Sequence, residues 1–144
     1  SSSIRAAGWA EAVVLLAGAG ALDGPVVSPD GATATALVDD DGIHVSVRCG
    51  EPLDETVLRS YCVGAAHMAW SWITSEALSV DADGIAQDLT VRSFGVVRAT
   101  DTPPISVVIE DDGGESVNGS DAVFAAVAAA TWRHRGCPEE LPTG

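Results

Sequence analysis

The chain has 144 residues, of which 47% are hydrophobic, 19% charged and only 5% aromatic, a globular composition sized for one domain. Its 21 acidic residues face 7 basic ones, every one an arginine, for a net charge of -14. That sign repels phosphate, so nucleic acid and anionic membranes are disfavoured as partners, whereas a basic protein partner or plain solubility is compatible with it.

Residues 4–20 read as a helix around "AVVLLAGAGAL", which Gly8, Gly18 and Gly20 weaken by about 1 kcal/mol each. Arg5 before that run loosely imitates a secretory leader, but Glu11 and the alanine-rich style of the whole chain favour an ordinary helix. No run reaches the roughly 18 to 20 apolar residues of a membrane span. After a loop with Pro25 and Pro29, "TATALVDDDGIHVSV" (Thr33 to Val47) places two β-prone arms about Asp39 to Gly42, the pattern of a hairpin.

Asp54 is a predicted N-cap, with Glu55 in the first turn of a helix running from about 55 to 75. Apart from His67, that segment has no formal charge between Arg59 and Glu76, so it is expected to be the central and most buried helix. Gly64, Ala65, Ala66 and Ala69 would admit a close neighbour. A second hairpin turns at Asp81 to Gly84, and its long second arm should lead through Pro103 and Pro104 to a last strand, Ile105 to Glu110. The final helix is capped by Ser120 and has "AVFAAVAAATW" as its body. Arg133, His134 and Arg135 suit its C-terminal dipole, and Gly136 with Pro138 stops it ahead of a short tail, residues 136–144. These elements predict a single α+β domain over residues 1–144: two layers, a mostly antiparallel sheet of about five strands with helices on one face.

Few motifs carry chemistry. "DDDG" and "DADG" lack the twelve-residue pattern of a calcium loop and read as hairpin turns, so no metal is expected. "GAGALDG" has no strand before it and no helix after it, as a phosphate loop requires. Cys49, Cys62 and Cys137 have neither zinc spacing nor an even count, which fits a reducing cytoplasm, with Cys49 and Cys62 expected as small buried hydrophobes. His44 falls in a strand and His134 at a helix end. His67 is either a buried functional base or a core histidine satisfied by one hydrogen bond.

The ordered series "VRCGEPLDETVLRSYCVGAAHMAWSWITSEAL", an acidic hairpin, "RSFGVVRATDTPPISVVI" and an alanine-rich helix resembles the C-terminal part of the molybdopterin-binding large subunit in the xanthine dehydrogenase, aldehyde oxidase and carbon monoxide dehydrogenase family. The resemblance covers about residues 43–135. Cys49-Gly50, Phe94 to Val97 and Asp101 to Ile105 hold the places of that family's strand-ending Cys-Gly pair, its Tyr-Arg/Lys-Ile/Val-Pro segment and its acidic-Pro-x-Ile strand. Where family members carry Gln-x-Glu-Gly in the long helix, this chain has Tyr61, Cys62, Val63 and Gly64. The family's catalytic glutamate sits in a Gly-Glu-Pro motif, whose nearest counterpart is "GES", so the resemblance makes Glu115 the candidate base; the other reading is an acidic turn.

The resemblance implies a stand-alone relative of that large-subunit region acting as a subunit, accessory piece or non-catalytic scaffold, an oxidoreductase only beside a larger partner chain. The glycine- and glutamine-bearing segments that hold the family's cofactor have no counterpart here. The isolated chain is therefore expected to bind no molybdopterin unless a partner completes the pocket. A second reading is a non-enzymatic binding or dimerisation module with Tyr61, Trp70 and Trp72 at its interface. A third is a small independent enzyme using Glu115 or His67.

Overall fold

The computed structural model describes residues 2–87, 90–110 and 112–140, with side chains from Gly8 onward. In chain order the elements are α1 (Ser2–Gly18), β1 (Val26–Val27), β2 (Thr33–Asp39), β3 (Gly42–Arg48), α2 (Glu55–Thr74), β4 (Ser79–Val80) and β5 (Ala86–Gln87). They are followed by the single turn α3 (Val91–Phe94), a 3-10 turn at Ala99–Asp101, β6 (Ile105–Glu110) and α4 (Ser120–His134).

The first hairpin forms where the sequence places it. Asp39 closes its turn, Oδ1 accepting from the N–H groups of Asp41 at 2.9 Å and Gly42 at 3.2 Å. The main sheet runs β1-β2-β3-β6, with antiparallel pairs except for β3 and β6, which run parallel with His44 opposite Ser106. Alternation puts Ala34, Val38, Ile43, Val45, Val47 and Val107 on one buried face. The opposite face carries Thr35, Leu37, His44, Arg48, Ser106 and Val108, all exposed. The α+β class is as expected, with four strands in the main sheet and β4 and β5 as a separate two-stranded ribbon.

The predicted long second arm of the 81–84 hairpin is replaced by a two-residue strand and a helical turn, with Asp88 and Leu89 outside the described residues. The reason is local. Thr90 and Ser93 form a reciprocal capping box that starts α3, and Gly95 ends it at φ +85. Ser120 is likewise the first residue of α4 and not its cap: Gly119 holds that place, and Asn118 Oδ1 accepts from the Ser120 N–H at 3.0 Å. A methyl group on Gly119 would sit 3.0 Å from Val47 and 3.2 Å from Cys49 Sγ, so a larger residue at the cap position needs those side chains to give.

The most buried helix is α4, where α2 was expected. Ala122, Val123 and every residue from Ala125 to Thr131 are buried, against six in α2. α4 packs on β2 and also contacts α1 and α2. Its methyl side chains let three elements approach it, whereas α2 turns Val57, Tyr61 and Met68 to solvent. Among the described residues no helix is long and apolar enough to cross a membrane.

Candidate functional site

The connection from β3 to α2 is the place where the sequence candidates meet. β3 leads into Cys49 and Gly50, the latter at φ +75, and Asp54 then starts α2 by accepting from the N–H groups of Thr56 at 2.9 Å and Val57 at 3.1 Å. The loop after β6 is laced to this connection by backbone bonds: Glu51 N–H donates to Gly114 O at 3.1 Å, and Val117 N–H to Cys49 O at 2.9 Å. Between the two runs lies a cleft of about 360 Å³. Pro52, Leu53, Val57 and Tyr61 form one wall, and Ser116, Val117 and Asn118 the other.

Tyr61 and Ser116 of the "GES" loop, far apart in sequence, thus share one cleft, but the Glu115 side chain is exposed and does not line it. What the fold fixes at Glu115 is its carbonyl, set against Gly50, and not its carboxylate. Tyr61 lies in the second turn of α2, 64% exposed, and Leu53 is 98% exposed. Cys62, next to Tyr61, is fully buried, and burial, with Cys49 nearby, pushes its thiol up to about 11. Cys49 is also raised, by burial and then by the charge of Asp112. Both stay neutral and unreactive near neutral pH, as small apolar groups do.

The other candidates lie elsewhere. Trp70 lines a second cleft, about 720 Å³, with Val91, Arg92, Val96, Arg98 and Asp101 around the C-terminal end of α2. Trp72 stacks on Phe124 of α4 with ring centroids 5.6 Å apart and planes at 19°, so it serves the helix interface inside the domain. His67 is half-buried, with Nδ1 2.8 Å from Thr102 Oγ1. His134 is exposed at the end of α4.

Sequence reading missed two arrangements. Arg59 of α2 donates to the carbonyl of Val107 on β6, and also pairs with Glu55 at 2.7 Å. His44 stands between Ser106 of β6 and Asp39 of the hairpin turn. Both depend on the placement of β6, which nothing near residue 44 or 59 announces. Among the described residues, no three His, Cys, Asp or Glu side chains converge as a metal site.

The fold has counterparts among solved structures. Over 62% of its length this chain is similar to CO dehydrogenase from Oligotropha carboxidovorans, with a TM-score of 0.55 at 11% identity. Over 73% of its length it is similar to quinoline 2-oxidoreductase from Pseudomonas putida 86, with a TM-score of 0.55 at 14% identity. It spans only 12% and 16% of those two chains, and at such identity the likeness is one of fold. No family model matches the chain, and no curated protein matches its sequence.

Proposed function

We propose that this chain is a relative of the C-terminal region of the molybdenum-hydroxylase large subunit, serving as a subunit, accessory piece or non-catalytic scaffold beside a larger protein chain. The observation that carries the reading is the fold it has in common with parts of two such enzymes, each several times its length. The exposed apolar groups at the β3–α2 connection, Leu53, Val57 and Tyr61, supply a surface for that larger chain. Three free cysteines suit the reducing cytoplasm in which such an assembly would work.

A pterin dinucleotide does not fit the residues present. A buried cofactor of that kind needs fixed donors, since each polar group left unpaired costs about 1 to 3 kcal/mol. The cleft wall offers Pro52, Leu53, Val57, Leu58 and the hydroxyl of Tyr61, while Asp54 is occupied by the helix cap. Cys62 is a buried neutral thiol, and a net charge of -14 opposes a diphosphate. The reading therefore assigns the isolated chain no cofactor. Glu115 becomes a base toward a molybdenum-bound group only if a partner completes the pocket around it.

The test is purification from the native host, followed by molybdenum analysis and identification of co-purifying chains. A larger molybdenum-bearing chain in fixed stoichiometry supports the reading, and a metal-free homodimer supports the dimerisation module instead. Retention of one pterin and one molybdenum per isolated chain, lost in Glu115→Gln, overturns both.

A further inference from the structure

The face of the sheet that is exposed among the described residues brings together a hydroxyl, an imidazole and a carboxylate. His44 Nδ1 is 2.9 Å from Ser106 Oγ, and His44 Nε2 is 3.3 Å from Asp39 Oδ1. The parallel register that sets His44 opposite Ser106 holds the first contact, and the hairpin turn holds the second. We propose that Ser106, His44 and Asp39 form an acyl-accepting nucleophile site that takes small activated esters with an apolar acyl group.

The tautomer follows from the partners. Asp39 is held below the usual carboxylate range, chiefly by the N–H of Asp41, so at neutral pH it is ionised and can only accept. The hydrogen between Asp39 and His44 therefore sits on Nε2. That leaves the Nδ1 lone pair facing Ser106, whose O–H donates to it, the arrangement of a nucleophile, a general base and a group that orients the base. Asp39 is a positioning residue, since it acts only through His44.

The step balances without a further reactant. Ser106 Oγ forms a bond to the ester carbonyl carbon as its proton passes to Nδ1. Collapse breaks the bond to the aryl alcohol, which leaves with that proton. Water then cleaves the acyl–Ser106 ester by the same base and releases a carboxylic acid. The acyl group has a place to rest, because Leu37 and Val108 flank the pair on the same face, 59% and 58% exposed. His44 and Asp39 are themselves 44% and 41% exposed, so water reaches the oxyanion and only esters with good leaving groups are within range.

The intact chain is treated with a fluorophosphonate, which loses fluoride to the attacking serine, and in parallel with p-nitrophenyl butyrate; adducts are mapped by mass spectrometry. We expect one adduct, on Ser106, none there in Ser106→Ala, and labelling at least tenfold slower in His44→Gln with an unchanged melting curve. Asp39→Asn should slow labelling with an unchanged melting curve, and Asp39→Glu, which keeps an accepting carboxylate, should restore part of the rate. Labelling of Ser106→Ala at the parent rate, a dominant adduct elsewhere, or a parent rate no faster than a free serine peptide overturns the assignment.

Discussion

A methyl group on Gly50 would lie 2.1 Å from the carbonyl oxygen of Glu115, which ties the end of β3 to the loop before α4. Gly50 is also at φ +75, where a side chain strains the backbone by about 1 to 2 kcal/mol before any clash. Gly50→Ala is therefore predicted to destabilise the fold by more than about 2 kcal/mol in urea melts. Gly84→Ala, at φ +80 with nothing within 4 Å of the added methyl, should cost only the backbone share. Equal losses at both sites would show that the loop yields freely.

Thr131 is fully buried in α4, and its Oγ1 has no hydrogen-bond partner among the described residues. Replacing a stranded hydroxyl by a methyl of the same shape removes a desolvation cost. Thr131→Val should raise stability by about 1 kcal/mol, read as a higher urea midpoint at unchanged slope. Loss of stability would mean that the hydroxyl is satisfied.

Glu110 sits below its ordinary value of 4.5, chiefly through the hydrogen bond from Ser46 and then that from Arg48. A carboxylate with a depressed folded-state pKa contributes stability that is present above its unfolded value and is lost as pH falls through the folded one. The melting temperature of the parent should accordingly drop more steeply than that of Glu110→Gln below pH 4.5. Parallel pH curves would remove Glu110 from the acid response.

Cys62 and Cys49 are buried and raised, while Cys137 is half-exposed. A thiol reagent near pH 8 should consume about one thiol per native chain quickly, and Cys137→Ser should abolish that phase. Three fast thiols in the native protein would contradict the packing of the β3–α2 connection.

Leu53 projects almost wholly into solvent, so Leu53→Asp is expected to change stability by less than about 0.5 kcal/mol. The same substitution, combined with Tyr61→Asp, should abolish co-purification of a larger chain. Association that survives both charges would place the interface elsewhere on the domain.

What could be read from the sequence was what neighbouring residues decide among themselves. Two β-prone arms around "DDDG" announced β2 and β3, Asp54 announced α2, and Ile105 to Glu110 announced β6. The parallel joining of β3 to β6 was not readable, since partners such as His44 and Ser106 are 62 positions apart and no local pattern encodes a distant register. The rank of the helices was missed for a related reason. A run of alanines is apolar on every side in α4 and nearly so in α2, and only the outward turn of Val57, Tyr61 and Met68 distinguishes them. At the candidate site, neither the meeting of Tyr61 with the loop around Glu115 nor the Ser106–His44 contact was readable, because both depend on the β3–β6 register.

The innermost helix follows every strand and helix it packs against. During synthesis, then, the hairpin of β2 and β3 leaves the ribosome with Val38, Ile43, Val45 and Val47 facing nothing until residues 120–134 have also emerged. Long-range closure of this kind is slow and exposes apolar surface in the interval. Nascent chains halted before Ala122 are predicted to be digested by protease within the time that chains extended past Gly136 survive. Equal survival of the halted chains would show that something already shields that sheet face during translation.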